Sequence, residues 1–185
     1  MASIGEHQVL NWLSNLFSKS SDKTSADALY DSVMRAALND RLYLDGLASD
    51  TFDGRFEAVT LLSAVVLRNL RAHGQSGKAL ADKLYRKVFD GFDHALRERG
   101  AGDSSIARKV RAYGERYFGL ARAVDTAFDA ADSITELGQV LTRNGVGGGE
   151  TQRFALFLES CDKNLSSQSL EDFRTGQLNW PLTEE

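Results

Sequence analysis

Apolar residues recur at helical spacing along almost the whole chain. Val9, Leu10, Trp12, Leu13, Leu16 and Phe17 predict a short amphipathic helix over residues 6–18, and the polar run Ser18 to Ser25 separates it from the body. Leu29, Tyr30, Val33 and Ala37 predict a helix from about Ala26 to Leu38. An irregular connection follows, anchored by Leu42, Tyr43 and Leu44 and broken at Gly46. From Phe56 to Leu70 apolar residues point in nearly every direction, so this helix, capped by Thr51 or Asp53, belongs at the centre of the fold. His73-Gly74 ends it. Leu80, Leu84, Val88, Phe92, Ala95 and Leu96 form one stripe of a helix starting at Ser76.

A corner follows at Gly100–Asp103, where Gly100 suits a left-handed C-cap and Asp103 suits the start of a new helix. Beyond it, Ile106, Val110, Tyr113, Tyr117, Leu120, Ala121, Val124 and Phe128 make the clearest amphipathic stripe in the chain. Ser133-Ile-Thr-Glu136 has capping-box form and leads Ile134, Leu137, Val140 and Leu141 to a stop at Asn144-Gly145. Gly147–Gly149 reads as a flexible joint. Phe154, Phe157, Leu158 and Leu165 mark one more helix, and Leu170 and Phe173 a weak final turn. No segment shows sustained strand alternation. The pattern predicts an all-α, single-domain bundle of about six to eight helices around a buried central helix near residues 54–72. Residues 1–23 form an N-terminal helix and linker, 24–174 the helical domain, and 175–185 a loose tail.

Composition agrees with long helices: the only proline in 185 residues is Pro181. The net charge of −4 argues against nucleic-acid binding, which needs a basic footprint. A lone cysteine, Cys161, excludes an intramolecular disulfide and reads as a buried thiol. No secretory signal is visible, and the first arginine is Arg35, so an Arg-rich presequence is absent. The most apolar segment, Ala58 to Leu67, is far shorter than the ~20 residues a membrane span needs. The expected location is cytoplasmic, with peripheral contact at the inner membrane as an option.

Chemistry is thinly represented. Asp90, Asp93, His94 and Arg97 project away from the apolar stripe, with Asp90–His94 and Asp93–Arg97 each one turn apart. A metal-dependent enzyme would use Asp90, Asp93 and His94, but only Asp90 and His94 are spaced as a pair of metal ligands, and the bland reading is a solvated face of ion pairs. Gly145–Gly149 lacks the strand and the Gly-Lys-Ser of a phosphate-binding loop. His73, at a helix end, suits capping. No residue is assigned a catalytic role, and no cofactor or metal is expected.

Charge is more informative. Between Arg97 and Arg122 seven basic residues stand against three acidic ones, reversing the sign of the whole chain. Arg108, Arg111 and Arg122 share a side of their helix, with Phe118 beside them and off the apolar stripe. Arginine and aromatic residues together suit a partner anchor, whereas the alternative has Phe118 packing on a neighbouring helix among solvated arginines. Trp12 is the second candidate anchor, resting on a partner, on a membrane surface, or on the protein's own body.

Several segments carry a family likeness. Thr51-Phe-Asp-Gly-Arg-Phe-Glu57 contributes Asp53, Gly54, Arg55 and Phe56. Asp90, Asp93 and Leu96-Arg-Glu-Arg-Gly-Ala-Gly-Asp103 contribute Leu96, Arg97, Glu98, Gly100, Gly102 and Asp103. Lys109, Tyr113 and Tyr117-Phe-Gly-Leu-Ala-Arg122 follow, and then Arg143-Asn144. In order and spacing these resemble the ubiquinol-cytochrome c chaperone family over roughly Tyr30 to Leu165. The resemblance implies a helical, non-enzymatic assembly factor of the cytochrome bc1 complex. Its client would be newly made cytochrome b or a related subunit, with a small partner chaperone and a site near the ribosome in mitochondrial relatives. Asp40 and Ser49 stand where that family tends to carry prolines, which leaves the shape of the Asn39–Asp50 connection open. Without a presequence the chain is similar to a bacterial member. The implied partner surface is Arg97, Arg108, Arg111, Phe118 and Arg122, with Trp12; the rival is a generic helical adaptor.

Overall fold

The computed structural model describes residues 24–98 and 103–181. Eight α-helices lie within them: α1 (Ser25–Ala37), α2 (Asp40–Leu44), α3 (Phe52–Leu70), α4 (Gly74–Glu98), α5 (Asp103–Phe128), α6 (Ser133–Arg143), α7 (Thr151–Ser166) and α8 (Leu170–Thr175). A 3-10 turn, Arg71–His73, joins α3 to α4. The described residues contain no strand, as the periodicity predicts. The N-terminal helix over 6–18, Gly100 and Gly102 of the corner, and residues 182–185 lie outside the described residues.

Local chemistry starts the helices. Thr24 and Asp27 form a reciprocal capping box at α1, as Ser169 and Asp172 do at α8. The Thr51 hydroxyl accepts the Gly54 N–H at 3.0 Å and opens α3, so Thr51 rather than Asp53 is the cap. At α6 the cap is Asp132, whose carboxylate accepts from the Thr135 N–H at 3.1 Å. The expected box led by Ser133 does not form. Ser133 is already inside the helix, and its hydroxyl donates across to Glu159 at 3.0 Å. Helix α4 begins at Gly74, two residues before the expected Ser76, because the 3-10 turn carries the chain straight into it.

Helix α3 is the hub. It packs against α1, α4, α5 and α7, while α6 bridges α5 and α7, and α8 closes over α1. Leu61, Leu62, Val65, Val66 and Leu70 are completely buried. The polar groups that α3 carries inward are matched. The Thr60 hydroxyl donates to the Phe56 carbonyl at 2.8 Å, and the Asn69 amide donates to the Val65 carbonyl at 2.9 Å and to Asp162 at 2.8 Å. Ser63 and Tyr117 are the exceptions. Their buried hydroxyls have no hydrogen-bond partner among the described residues. At the far end Arg68 binds Asp125 at 3.1 Å, Asp129 at 2.7 Å and Asp162 at 3.5 Å, and Arg71 also pairs with Asp125. One guanidinium thereby ties α3 to α5, to the turn after it and to α7.

Two segments expected to be loose are packed. Gly147 and Gly149 have φ of 103° and 104°, and the Ser49 hydroxyl donates to the Gly147 carbonyl at 3.3 Å. A Cβ on Gly148 would come within 2.5 Å of the Gly46 carbonyl oxygen. The glycines thus let two backbones touch instead of serving as a flexible joint. The tail docks too: Trp180 Nε1 donates to Ser32 Oγ at 3.2 Å, and Gln168 clasps the Gln177 carbonyl and the Asn179 N–H at 2.8 and 2.9 Å. Leu178 and Trp180 cover the core edge beside α1. Cys161 is fully buried, and burial pushes its thiol well above the ordinary value.

Two expectations follow. A Cβ on Gly54 would overlap the Ser49 carbonyl oxygen, so Gly54→Ala should cost roughly 1–3 kcal/mol in urea unfolding, the usual range for forced overpacking. Lys87 on α4 pairs with Asp27 on α1, and together with the Thr24 hydroxyl it lowers the Asp27 carboxyl from 3.8 to about 2. A depressed carboxyl stabilises the fold above its unfolded value, and that contribution is lost as pH falls from 3.8 towards about 2. NMR titration should place the Asp27 midpoint near about 2, and Lys87→Met should move it back towards 3.8.

Candidate partner-binding surface

Helices α4 and α5 pack together. Their inward stripes are filled by Leu80, Leu84, Val88 and Phe92 on α4, and by Ile106, Tyr117, Leu120 and Val124 on α5. A run of aromatic rings fills the seam. Phe89 meets Tyr117 at 5.0 Å between centroids and Phe118 at 5.8 Å, and Tyr85 meets Phe89 at 4.5 Å and Phe118 at 5.4 Å. Phe118 lies one residue from the buried Tyr117, about 100° around the helix, and therefore falls at the rim. It stacks on Phe89 yet stays 55% exposed. Phe118 thus packs on α4, as one reading expected, and also presents part of its ring to solvent.

The arginines divide into two groups. Arg108, Arg111 and Arg122 are all exposed on the solvent side of α5, with Phe118 at its edge. Arg111 pairs with Glu115 at 3.0 Å, whereas Arg108 and Arg122 form no ion pair among the described residues. Arg97 stands apart. It lies eight residues beyond Phe89, about 12 Å along α4, at the end where Arg108 also sits, and binds Asp93 at 2.7 Å. The structure thus gathers Arg111, Phe118 and Arg122 into one patch and places Arg97 and Arg108 at its far end. Trp12 lies outside the described residues.

The carboxylate–histidine face does not assemble as spaced. His94 pairs with Glu98 at 3.3 Å rather than with Asp90, because the longer Glu98 side chain leans back along the helix towards it. Asp93 is taken by Arg97, and Asp90 is exposed. Among the described residues no three His, Cys, Asp or Glu side chains come together as a metal would require.

The motif residues around Asp53 hold the fold together. Asp53 accepts from the Tyr113 hydroxyl at 2.7 Å and from Arg116 at 3.1 Å, and Arg116 reaches on to the buried carboxylate of Glu57. Phe56 lies between Phe92 at 4.6 Å and Tyr113 at 4.8 Å, beneath the Arg116 guanidinium at 5.7 Å. Arg55 binds Asp50 at 2.7 Å and covers the Tyr43 ring at 4.7 Å. Leu96 is buried. Burial raises the Glu57 carboxyl above its ordinary range, and the Arg116 charge opposes that rise. Arg116 counted only as part of the basic excess in the sequence. A lone glutamate on a helix apolar all round was the signal that it must have a cationic partner.

A second feature escaped the sequence pattern. An apolar cleft of about 30 Å³ opens between α1, α3 and α4, lined by Tyr30, Met34, Phe52, Phe56, Gly91 and Ala95 among others. Gly91 lets the Tyr30 ring close one end of it, since a Cβ there would come within 2.5 Å of the Tyr30 hydroxyl. A glycine inside the α4 apolar stripe was its trace.

These elements have a known counterpart. A family model described as ubiquinol-cytochrome C chaperone matches residues 47–180. The chain belongs to the ubiquinol-cytochrome c chaperone family. That match takes in the Asp53 network, the α4–α5 pair and the docked tail. A crystal structure of the Cbp3 homolog from Brucella abortus has the same fold, with a TM-score of 0.74 and 22% identity over 94% of this chain and 93% of that one. No curated protein matches this chain. Membership in the ubiquinol-cytochrome c chaperone family implies work done by binding rather than by catalysis.

The Glu57–Arg116 pair yields a test. A carboxyl whose value is raised on folding binds more protons folded than unfolded, so stability falls as pH rises above the ordinary 4.5. Arg116→Ala removes the opposing charge. It should cost roughly 1–3 kcal/mol at pH 7, the range for stranding a buried polar partner, and less at pH 5. Urea unfolding at the two pH values measures the difference, and Glu57→Gln in the same background should shrink it.

Proposed function

We propose that this member of the ubiquinol-cytochrome c chaperone family is a non-enzymatic assembly factor of the cytochrome bc1 complex. It binds newly made cytochrome b, or a related subunit, through the solvent face of α4 and α5. The observation that carries this reading is Phe118, a large ring more than half exposed on a side otherwise carrying Arg108, Arg111 and Arg122. An apolar anchor among arginines can take an apolar segment flanked by acidic groups or backbone carbonyls, and such residues dominate the energetics of many interfaces. Arg97 extends the same surface towards the corner. No described helix is long and apolar enough to cross a membrane, so contact with a membrane-bound client would be peripheral. A small partner chaperone is a further candidate for this face.

A photoreactive phenylalanine analogue at Phe118, and separately at Arg111, should capture cytochrome b or another bc1 subunit in cells. Phe118→Asp should weaken that capture by about 1–2 kcal/mol or more, the loss typical of an interface anchor, with the helical fold intact by circular dichroism. Normal bc1 levels in a strain lacking the gene would refute the assignment. Capture of proteins unrelated to the bc1 complex would favour a general helical adaptor.

A further inference from the structure

The outward side of α5 carries a residue that a helix does not favour. Gly119 lies well inside α5 and is exposed, about 200° round the helix from the buried Tyr117. Glycine is the poorest helix former after proline, because it gives up the most backbone freedom. Elsewhere inside the helices a close neighbour accounts for it. A Cβ on Gly54, Gly77, Gly91 or Gly138 would come closer than 3.0 Å to another atom, and one on Gly114 would lie 3.3 Å from Phe89. A Cβ on Gly119 would meet nothing within 4 Å among the described residues. Packing inside the fold gives no reason for this glycine.

The space above it is one corner of a four-residue hollow. Glu115, Phe118, Gly119 and Arg122 stand at i, i+3, i+4 and i+7, the arrangement that receives a side chain from a second helix in helix–helix packing. All four are exposed. Phe118 forms an apolar wall, backed by Phe89 and Tyr85, and Gly119 leaves a floor of bare backbone. The charges on the rim are unequal. Glu115 is taken by Arg111 at 3.0 Å, whereas Arg122 has no ion pair among the described residues. The hollow is therefore complementary to an aliphatic side chain that has a carboxylate one turn away. Backbone groups within α5 are already bonded to one another, so an extended segment would find no hydrogen-bond partners here. A helix brings its own.

We propose that this hollow receives one aliphatic side chain from an amphipathic helix of the client protein, with an aspartate or glutamate one turn away on that helix meeting Arg122. Gly119 then sets how closely the two helices approach. The inference rests on the α4–α5 face being the client surface, and it names the kind of segment that face takes.

The test uses the full-length protein in cells, with a photoreactive phenylalanine analogue at Ala112, exposed on α5 two turns before Gly119. Into this background goes Gly119→Gln, which fills the hollow with a better helix former. Its urea midpoint should rise while capture of the bc1 subunit falls several-fold. Gly119→Ala should move both in the same directions, with a smaller loss of capture. Arg122→Glu should also lower capture, and Arg122→Lys should retain most of it. An analogue at Phe118 should attach to a helical segment that carries an acidic residue three or four positions from the adduct. Undiminished capture by Gly119→Gln, with Phe118→Asp still weakening it, would overturn the hollow and leave the assembly-factor reading standing. Capture of a protein unrelated to the bc1 complex, lost in Gly119→Gln and mapped to such a helix, would support the hollow and remove that reading. A lowered urea midpoint in both Gly119 variants, adducts on an extended segment, or no capture at all would overturn the proposal.

Discussion

A helix that is apolar in every direction can lie in water only if other helices surround it, and α3 imposes that demand on the whole chain. Helices α1, α4, α5 and α7 each give α3 one stripe. The same enclosure turns its few polar groups into directional links, because a charge taken out of water must bring its partner with it. Glu57 draws Arg116 across from α5, and Arg68 draws Asp125, Asp129 and Asp162 from three places in the chain. Hydrophobic burial places the helices around α3. The ion pairs at its two ends set how α5 and α7 lie against it.

The candidate surface follows from what this arrangement leaves over. Once the inner stripes of α4 and α5 are committed, their seam has room for Tyr117 but only partial cover for its neighbour Phe118. The arginines of α5 then divide by angle. Arg116 turns inward to the Asp53–Glu57 pair and is structural, whereas Arg108, Arg111 and Arg122 turn outward. The family motif residues around Asp53 and Phe56 accordingly read as parts of the joint that aims α5, and they leave its outward side uncovered.

Periodicity identified nearly every helix in the described residues, because burial of one side leaves a 3.6-residue trace whatever the partner is. Exact ends were less legible: the spacing left the α3 cap between Thr51 and Asp53, and the capping-box pattern pointed to Ser133, one residue past the actual cap, Asp132. Glycines misled for a physical reason. Gly147 to Gly149 look flexible in isolation, and only the approach of Gly46 and Leu47 makes them a contact. Helical spacing paired His94 with Asp90, whereas in the fold it is Glu98, one turn further on, that takes it. Similarly, nothing local tells that Trp180 finds Ser32, 148 positions away.

What the sequence determined by itself was the helical class, the central place of α3, the exposure of Arg108, Arg111 and Arg122, and the family likeness. Each of these depends on the order and spacing of residues along one helix. What only the tertiary structure decided was every matter involving two helices. It recruited Arg116 to Glu57, half-covered Phe118 with Phe89 and Tyr85, opened the cleft beside Gly91, and docked the tail on α1. Helical spacing records which side of a helix is buried, and it carries no record of what lies on the other side of the contact.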